Sequence, residues 1–259
     1  MRPVILPSAL ALALVACSSP PTFLELDAAS PDAASPDAAS PDAGDPDAST
    51  PDAIPAGFGA LAGQCGVLTL TELDGTVPLW FQGEFTFDNR YDDPAERPML
   101  TLGGQHIMET PNAGGSSVFS EVFAYEWLAR CEAATLLKTE TEVVYDVVGK
   151  KIDLLVEIDS RKVGVSVTRA MTFPFGNPYT LAAATTLFER KLDDIQLATE
   201  QVSAADRWTK QMLAVLAYDT QHAQVAMQAW SMLDATTRDD TLLVVAVTQG
   251  DDTFIYTDQ

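Results

Sequence analysis

The stretch that decides the fold is residues 151–170, KIDLLVEIDSRKVGVSVTRA. Two runs dominated by Val, Ile and Leu, 152–158 and 163–169, flank Asp159, Ser160 and Arg161. Branched aliphatic residues at that density, joined by a short polar turn, predict a β-hairpin, and their saturation places both strands in the centre of a sheet. Asp153 opens the first strand. Side chains alternate along the second, so Ser166 and Thr168 share one face while Val165, Val167 and Arg169 take the other. Pairing in the hairpin brings Asp153 toward the face of the two hydroxyls.

Downstream, FPFGNP reads as a loop and residues 180–200 as a helix, with Leu181, Ala184, Phe188 and Ile195 on one side. Ser203 to Asp206 resembles a capping box and predicts a long helix to about Leu233, with Trp208, Met212, Met227 and Trp230 as core rather than a cofactor box. Residues 241–248, TLLVVAVT, predict a buried strand, followed by a Gly250-Asp251 turn and a last strand over 253–256. Upstream, 142–148 is strand-like and Gly149-Lys150 is a turn. A helix runs from Ser117 to about Leu137, burying Val118, Val122, Tyr125 and Ala129. Residues 67–72 and 79–87 alternate around Asp74-Gly75 and predict a hairpin, with a further short strand over 99–108. The order helix, strand, strand, strand, helix, helix, strand predicts an α/β fold, a central mixed β-sheet flanked by helices. Residues 116–259 form that domain, and 59–115 a small β-rich N-terminal extension.

Residues 1–16, MRPVILPSALALALVA, carry one basic residue and an apolar run too short to span a bilayer. They read as a secretory signal peptide. Leu14-Val15-Ala16-Cys17 resembles the lipobox of bacterial lipoproteins, which implies acylation of Cys17 and membrane attachment without a spanning helix. Ser at position 18, by the same resemblance, implies an outer-membrane or surface destination in the cell envelope. Residues 17–58 are then a tether. Pro-Asp pairs recur every five residues in DAASPDAASPDAASPDAGDPDASTPDAIP, eight acids stand without Lys or Arg, and nothing there can bury a core.

The net charge is −22; setting aside Arg2 and the eight acids of the tether leaves −15 for the rest. So acidic a domain repels phosphate backbones, which argues against nucleic acid as a partner. Lys150, Lys151, Arg161, Lys162 and Arg169 are the exception, a candidate local basic groove. Cys65 and Cys131 are either a disulfide, permitted outside the cytoplasm, or two buried thiols. Two distant Cys and two His, His106 and His222, do not make a structural zinc site. No G-x-S-x-G elbow supports serine hydrolysis, and no glycine-rich loop follows a strand to hold phosphate.

The element order over residues 116–248, with Asp153 at the start of the second core strand, resembles the PD-(D/E)XK nuclease superfamily, the restriction-endonuclease-like fold. The resemblance matches Asp153 to the motif Asp, Ser166-Val167-Thr168 to its (Asp/Glu)-X-Lys segment, and Glu121 to an acid often found on the preceding helix. In working members it implies Mg²⁺ held by the two acids and a Lys that orients water. Here hydroxyls stand at both decisive positions, and neither Ser nor Thr supplies the missing charge. The family also relocates such residues to the neighbouring helix, which makes Lys191 and Glu189 candidates; two positions apart on a helix, only one of them readily faces the hairpin. Glu157 lies too far along the strand, about 13 Å. Ordinary structural roles compete: a salt bridge of Asp153 with Lys150 or Lys151, Ser166 and Thr168 bonded to backbone, and Glu121 favoured by the helix dipole.

The sequence therefore predicts a surface-tethered lipoprotein whose nuclease-like domain is non-catalytic and acts by binding an unknown protein or small ligand. No cofactor is expected. The alternatives are a secreted Mg²⁺-dependent nuclease using Asp153, Glu121 and Lys191, with Asp153 as metal ligand, and an envelope structural module.

Overall fold

The computed structural model describes residues 54–111 and 117–257. The signal peptide, Cys17 and the Pro-Asp tether lie outside the described residues. Among the described residues no helix is long and apolar enough to cross a membrane.

In chain order the elements are β1 (Ala60–Gly63), α1 (Leu70–Leu73), β2 (Leu79–Phe87), α2 (Leu102–Glu109), α3 (Val118–Glu132), β3 (Thr135–Thr139), β4 (Leu154–Ile158), β5 (Arg161–Ala170), α4 (Leu181–Gln201), β6 (Lys210–Ala217), α5 (Thr220–Met232), α6 (Ala235–Arg238) and β7 (Leu242–Gly250). Short 3₁₀ turns occupy Arg97–Met99 and Thr253–Ile255. The seven strands make one mixed sheet in the order β1-β2-β7-β6-β5-β4-β3. Its centre, β2, β7, β6 and β5, is parallel, while β1, β4 and β3 join antiparallel. The fold class is α/β, a mixed sheet flanked by helices. Residues 59–111 supply β1 and β2 to the same sheet and belong to one compact unit with the rest of the described chain.

The predicted hairpin is present. β4 and β5 pair antiparallel, Leu154 with Val165 and Ile158 with Arg161, around Asp159 and Ser160, both at positive φ (47° and 61°). Two consecutive positive φ values give a two-residue turn whose twist matches that of the strands. Alternation in the buried strands sorts side chains onto two layers. Val163, Val165, Val167, Met212, Ala214 and Leu216 pack under α3, together with Phe85, Phe123 and Trp127. Leu213, Val215, Ala217, Leu243 and Val245 pack under α4 and α5, against Phe188, Ile195 and Trp230. α3 is buried nearly all round, including Ser120, Glu121 and Glu126.

Several expectations are overturned, each for a local reason. The long helix from Ser203 to Leu233 is β6 followed by α5. All eight residues of β6 are buried, so it lacks the alternation that marks a half-exposed strand. Asp219 starts α5 by accepting the His222 N–H at 2.7 Å. Asp206 opens no helix; its carboxylate accepts from Lys138 and from the Val144 N–H. The strand placed at 142–148 is β3, earlier in sequence, because α3 stops at Glu132, where Ala133 turns left-handed at φ 51°. Residues 67–72 contain α1 instead of a strand, nucleated by a capping box in which Thr69 and Glu72 exchange hydrogen bonds. Residues 99–108 form most of α2, which Thr101 caps by accepting from the Gly104 N–H. The last strand, over 253–256, is a 3₁₀ turn.

The two cysteines form a disulfide, Cys65–Cys131, joining the segment after β1 to the end of α3. Four of the five basic residues around the hairpin have partners within the chain. Arg161 pairs with Asp74, Lys150 with Asp194, Lys162 donates to the Ala205 carbonyl and Arg169 to that of Ile255.

Candidate functional site

β5 continues past the start of its pairing with β4, because Leu154 is already opposite Val165 while β5 runs on to Ala170. Beyond that point the ladder needs a substitute acceptor, and Asp153 provides it. Its own N–H donates to the Val165 carbonyl at 3.0 Å, which holds its side chain over the next residues of β5. Oδ2 accepts the Val167 N–H at 2.5 Å and the Ser166 hydroxyl at 3.0 Å. Asp153 thus bonds within the hairpin, while Lys150, one of its two expected partners, pairs with Asp194.

Lys191 comes to the same place from α4. Its ammonium donates to the Val167 carbonyl at 2.8 Å, approaches the Ser166 hydroxyl at 3.5 Å and lies 4.0 Å from Asp153 Oδ2. The neighbouring Glu189 is exposed, so only one of the two helix candidates reaches the hairpin, as 100° per residue requires. Glu157 is also exposed and stays outside the cleft.

Asp153, Thr168 and Lys191 line a cleft of about 280 Å³ with Glu121 and Ser120 of α3, Arg169 of β5, and Glu140. Glu121, in the first turn of α3, is buried and accepts the Ser117 hydroxyl at 2.8 Å. Ser120 Oγ, buried on the same wall, has no hydrogen-bond partner among the described residues. Glu140 escaped the sequence reading: it follows β3 directly, and with the strand placed at 142–148 nothing directed it to the site. The structure therefore brings together Glu121, Asp153, Ser166, Thr168 and Lys191, and adds Glu140 and Arg169. Three carboxylates face two cations across one cleft.

The donor set bears on metal binding. Among the described residues no three His, Cys, Asp or Glu side chains lie close enough together to hold one ion. A hard divalent cation takes six or more oxygens and favours clustered carboxylates. Ser166 spends its hydroxyl on Asp153, and the Lys191 ammonium occupies the space beside that carboxylate. The residues do not fit a held Mg²⁺.

No family model matches the chain. A Dictyostelium discoideum protein described as "AAC-rich mRNA clone AAC4 protein" is 39% identical over 153 residues, covering 57% of this chain and 22% of that one. The chain thus spans less than a quarter of that relative's length. Among solved structures, SfsA of Pyrococcus furiosus in complex with Ca²⁺ superposes at a TM-score of 0.25 and 12% identity, over 51% of this chain and 56% of that one.

Proposed function

We propose that this chain is a lipid-anchored envelope protein whose α/β domain has a nuclease-like layout and works by binding in the Asp153–Lys191 cleft. The layout rests on the order α3-β3-β4-β5-α4-β6 with Asp153 at the head of the β4–β5 hairpin, the arrangement that the sequence resemblance implies. The observation that carries the binding role is the Ser166 hydroxyl donating to Asp153 where a hydrolase of that layout would hold its second carboxylate. Lys191 is likewise engaged, on the Val167 carbonyl. With Asp153 and Lys191 engaged internally and Ser120 without a hydrogen-bond partner among the described residues, the cleft suits a small polar ligand better than a metal and a phosphodiester. The anchor reading rests on Leu14-Val15-Ala16-Cys17 behind an apolar run.

The test is hydrolysis of DNA and RNA across Mg²⁺, Mn²⁺ and Ca²⁺, with thermal melting alongside. The binding reading expects no cleavage and no metal-dependent shift in Tm. Cleavage by the wild type that disappears in Asp153→Ala would establish the hydrolase instead, the reading favoured by the common cleft of Glu121, Asp153 and Lys191. Separately, Cys17→Ser is expected to move the protein from the membrane fraction to the soluble fraction; retention on membranes would sink the anchor.

A further inference from the structure

A second pocket, of about 340 Å³, lies past the ends of β5 and β6 and shares no lining residue with the Asp153 cleft. Phe175 and Tyr179 come from the loop after β5, Tyr218 and Asp219 from the turn after β6, and His222 from the first turn of α5. Open α/β sheets take ligands beyond the carboxyl ends of neighbouring parallel strands, and β5 and β6 are such a pair. The rings form a continuous arc: Phe175 meets Tyr218 at 4.8 Å, Tyr218 meets His222 at 6.1 Å, and His222 meets Tyr179 at 5.5 Å.

We propose that this pocket receives the cationic end of an organic amine. Aromatic faces attract cations, and the Asp219 carboxylate, about half exposed (48%), stands at the rim. Among the described residues no Lys or Arg lines the pocket, so none of them there favours an anion. The chain's charge of −22 adds a long-range attraction for cations. Two polar atoms of the wall, Tyr179 Oη and His222 Nδ1, are closed off from water and have no hydrogen-bond partner among the described residues. Nδ1 stands 3.8 Å from Asp219 Oδ1, too long for a hydrogen bond. A purely apolar ligand would leave the Asp219 carboxylate at the rim unanswered, whereas an N–H donor entering beside it supplies a charged partner. The inference is independent of the role of the Asp153 cleft.

The probes are n-butylamine and n-butanol, alike in shape and different in charge, titrated into the full chain by calorimetry with His222 ring resonances followed by NMR. n-Butylamine is expected to bind roughly tenfold more tightly than n-butanol and to shift the His222 signals. Asp219→Asn keeps the α5 cap, because Asn also accepts at that position, and removes the charge. It should weaken n-butylamine by about tenfold at unchanged Tm, and Tyr218→Leu should weaken it similarly. Asp92→Asn, at a site away from the pocket, controls for the acidic surface and should leave affinity unchanged. Spermidine and a short lysine peptide then separate a free polyamine from a protein side chain, and tighter binding of either fits the pocket. Equal binding of n-butanol, no His222 shift, or undiminished binding by Asp219→Asn would overturn the proposal.

Discussion

Lys191 on α4 holds its ammonium 4.0 Å from the carboxylate of Asp153 at the head of β4, with the Val167 carbonyl as its nearer partner at 2.8 Å. The two residues fasten the helix layer to the open end of the hairpin, and the two sides of that contact are unequal. Asp153 accepts a backbone N–H that no strand partner takes, whereas Lys191 adds a partly exposed charge. Asp153→Ala strands the Val167 N–H and is expected to cost about 2 kcal/mol. Lys191→Met, which keeps the apolar stem, is expected to cost about 1 kcal/mol. Urea unfolding of the two single variants and the double variant should give a coupling of about 0.5–1 kcal/mol. Strict additivity would mean that the two groups do not interact.

Gly164, in the middle of β5, lies opposite Leu155 on one side and Gln211 on the other. A Cβ there would stand 2.7 Å from two atoms of the Trp208 indole. The indole has little room to retreat, being buried and tied through Nε1 to the Thr199 hydroxyl at 3.1 Å. Gly164→Ala is expected to destabilise by about 1–3 kcal/mol through overpacking, with a change in near-UV circular dichroism from the displaced tryptophan. An unchanged Tm and spectrum would contradict this packing.

The Cys65–Cys131 bond closes a loop with a sequence separation of 66. Closing a loop of that length restricts the unfolded chain by about 4 kcal/mol in the chain-entropy account. The same junction has a second fastening: the Glu132 carboxylate accepts the N–H groups of Gly66 at 3.0 Å and Leu68 at 2.9 Å. Cys131→Ser should therefore lower Tm markedly yet leave the native circular dichroism. A reductant should bring the wild type to the variant's Tm. A wild type indifferent to reductant would show that the bond does not form.

What was legible in the sequence follows a physical line. The β4–β5 hairpin, β2, α4 and β7 were readable because each is framed by a turn or cap, and β2 and α4 also show their period. β6 was not, since Lys210–Ala217 is buried on both faces and so has no polar face to give its period away. β3 was hidden because α3 ends on Ala133, a left-handed residue without the glycine that usually announces such a stop. In the cleft, Asp153, Glu121 and Lys191 were reached through the nuclease-superfamily resemblance, with helical angle adding only that one of Lys191 and Glu189 could face the hairpin. Glu140 was lost with the misplaced strand, and the donation of the Ser166 hydroxyl to Asp153 needed the register, which composition does not carry.

Asp206 gives the stability a readable dependence on pH. Burial acts to raise its pKa, but the hydrogen bonds from the Lys138 ammonium at 2.7 Å and the Val144 N–H at 2.7 Å outweigh burial and hold the carboxyl below its ordinary value. The unfolded chain then binds its proton at a higher pH than the folded one, so between the two values stability rises with pH. The contribution is complete above the unfolded value, near pH 4, and is lost as pH falls through the folded one. Glu126, Glu132 and Asp252 work in the opposite sense: burial raises each pKa above its ordinary value, so their contribution falls as pH rises from the unfolded toward the folded value. The total profile mixes both signs, and a single variant isolates one of them. Asp206→Asn is expected to cost about 1–2 kcal/mol at pH 7. As pH falls through the folded value it should cost much less, because the wild-type carboxyl becomes protonated. Denaturant unfolding of both proteins across that range measures the difference, and a cost independent of pH would mean that Asp206 is not held ionised by Lys138 and Val144.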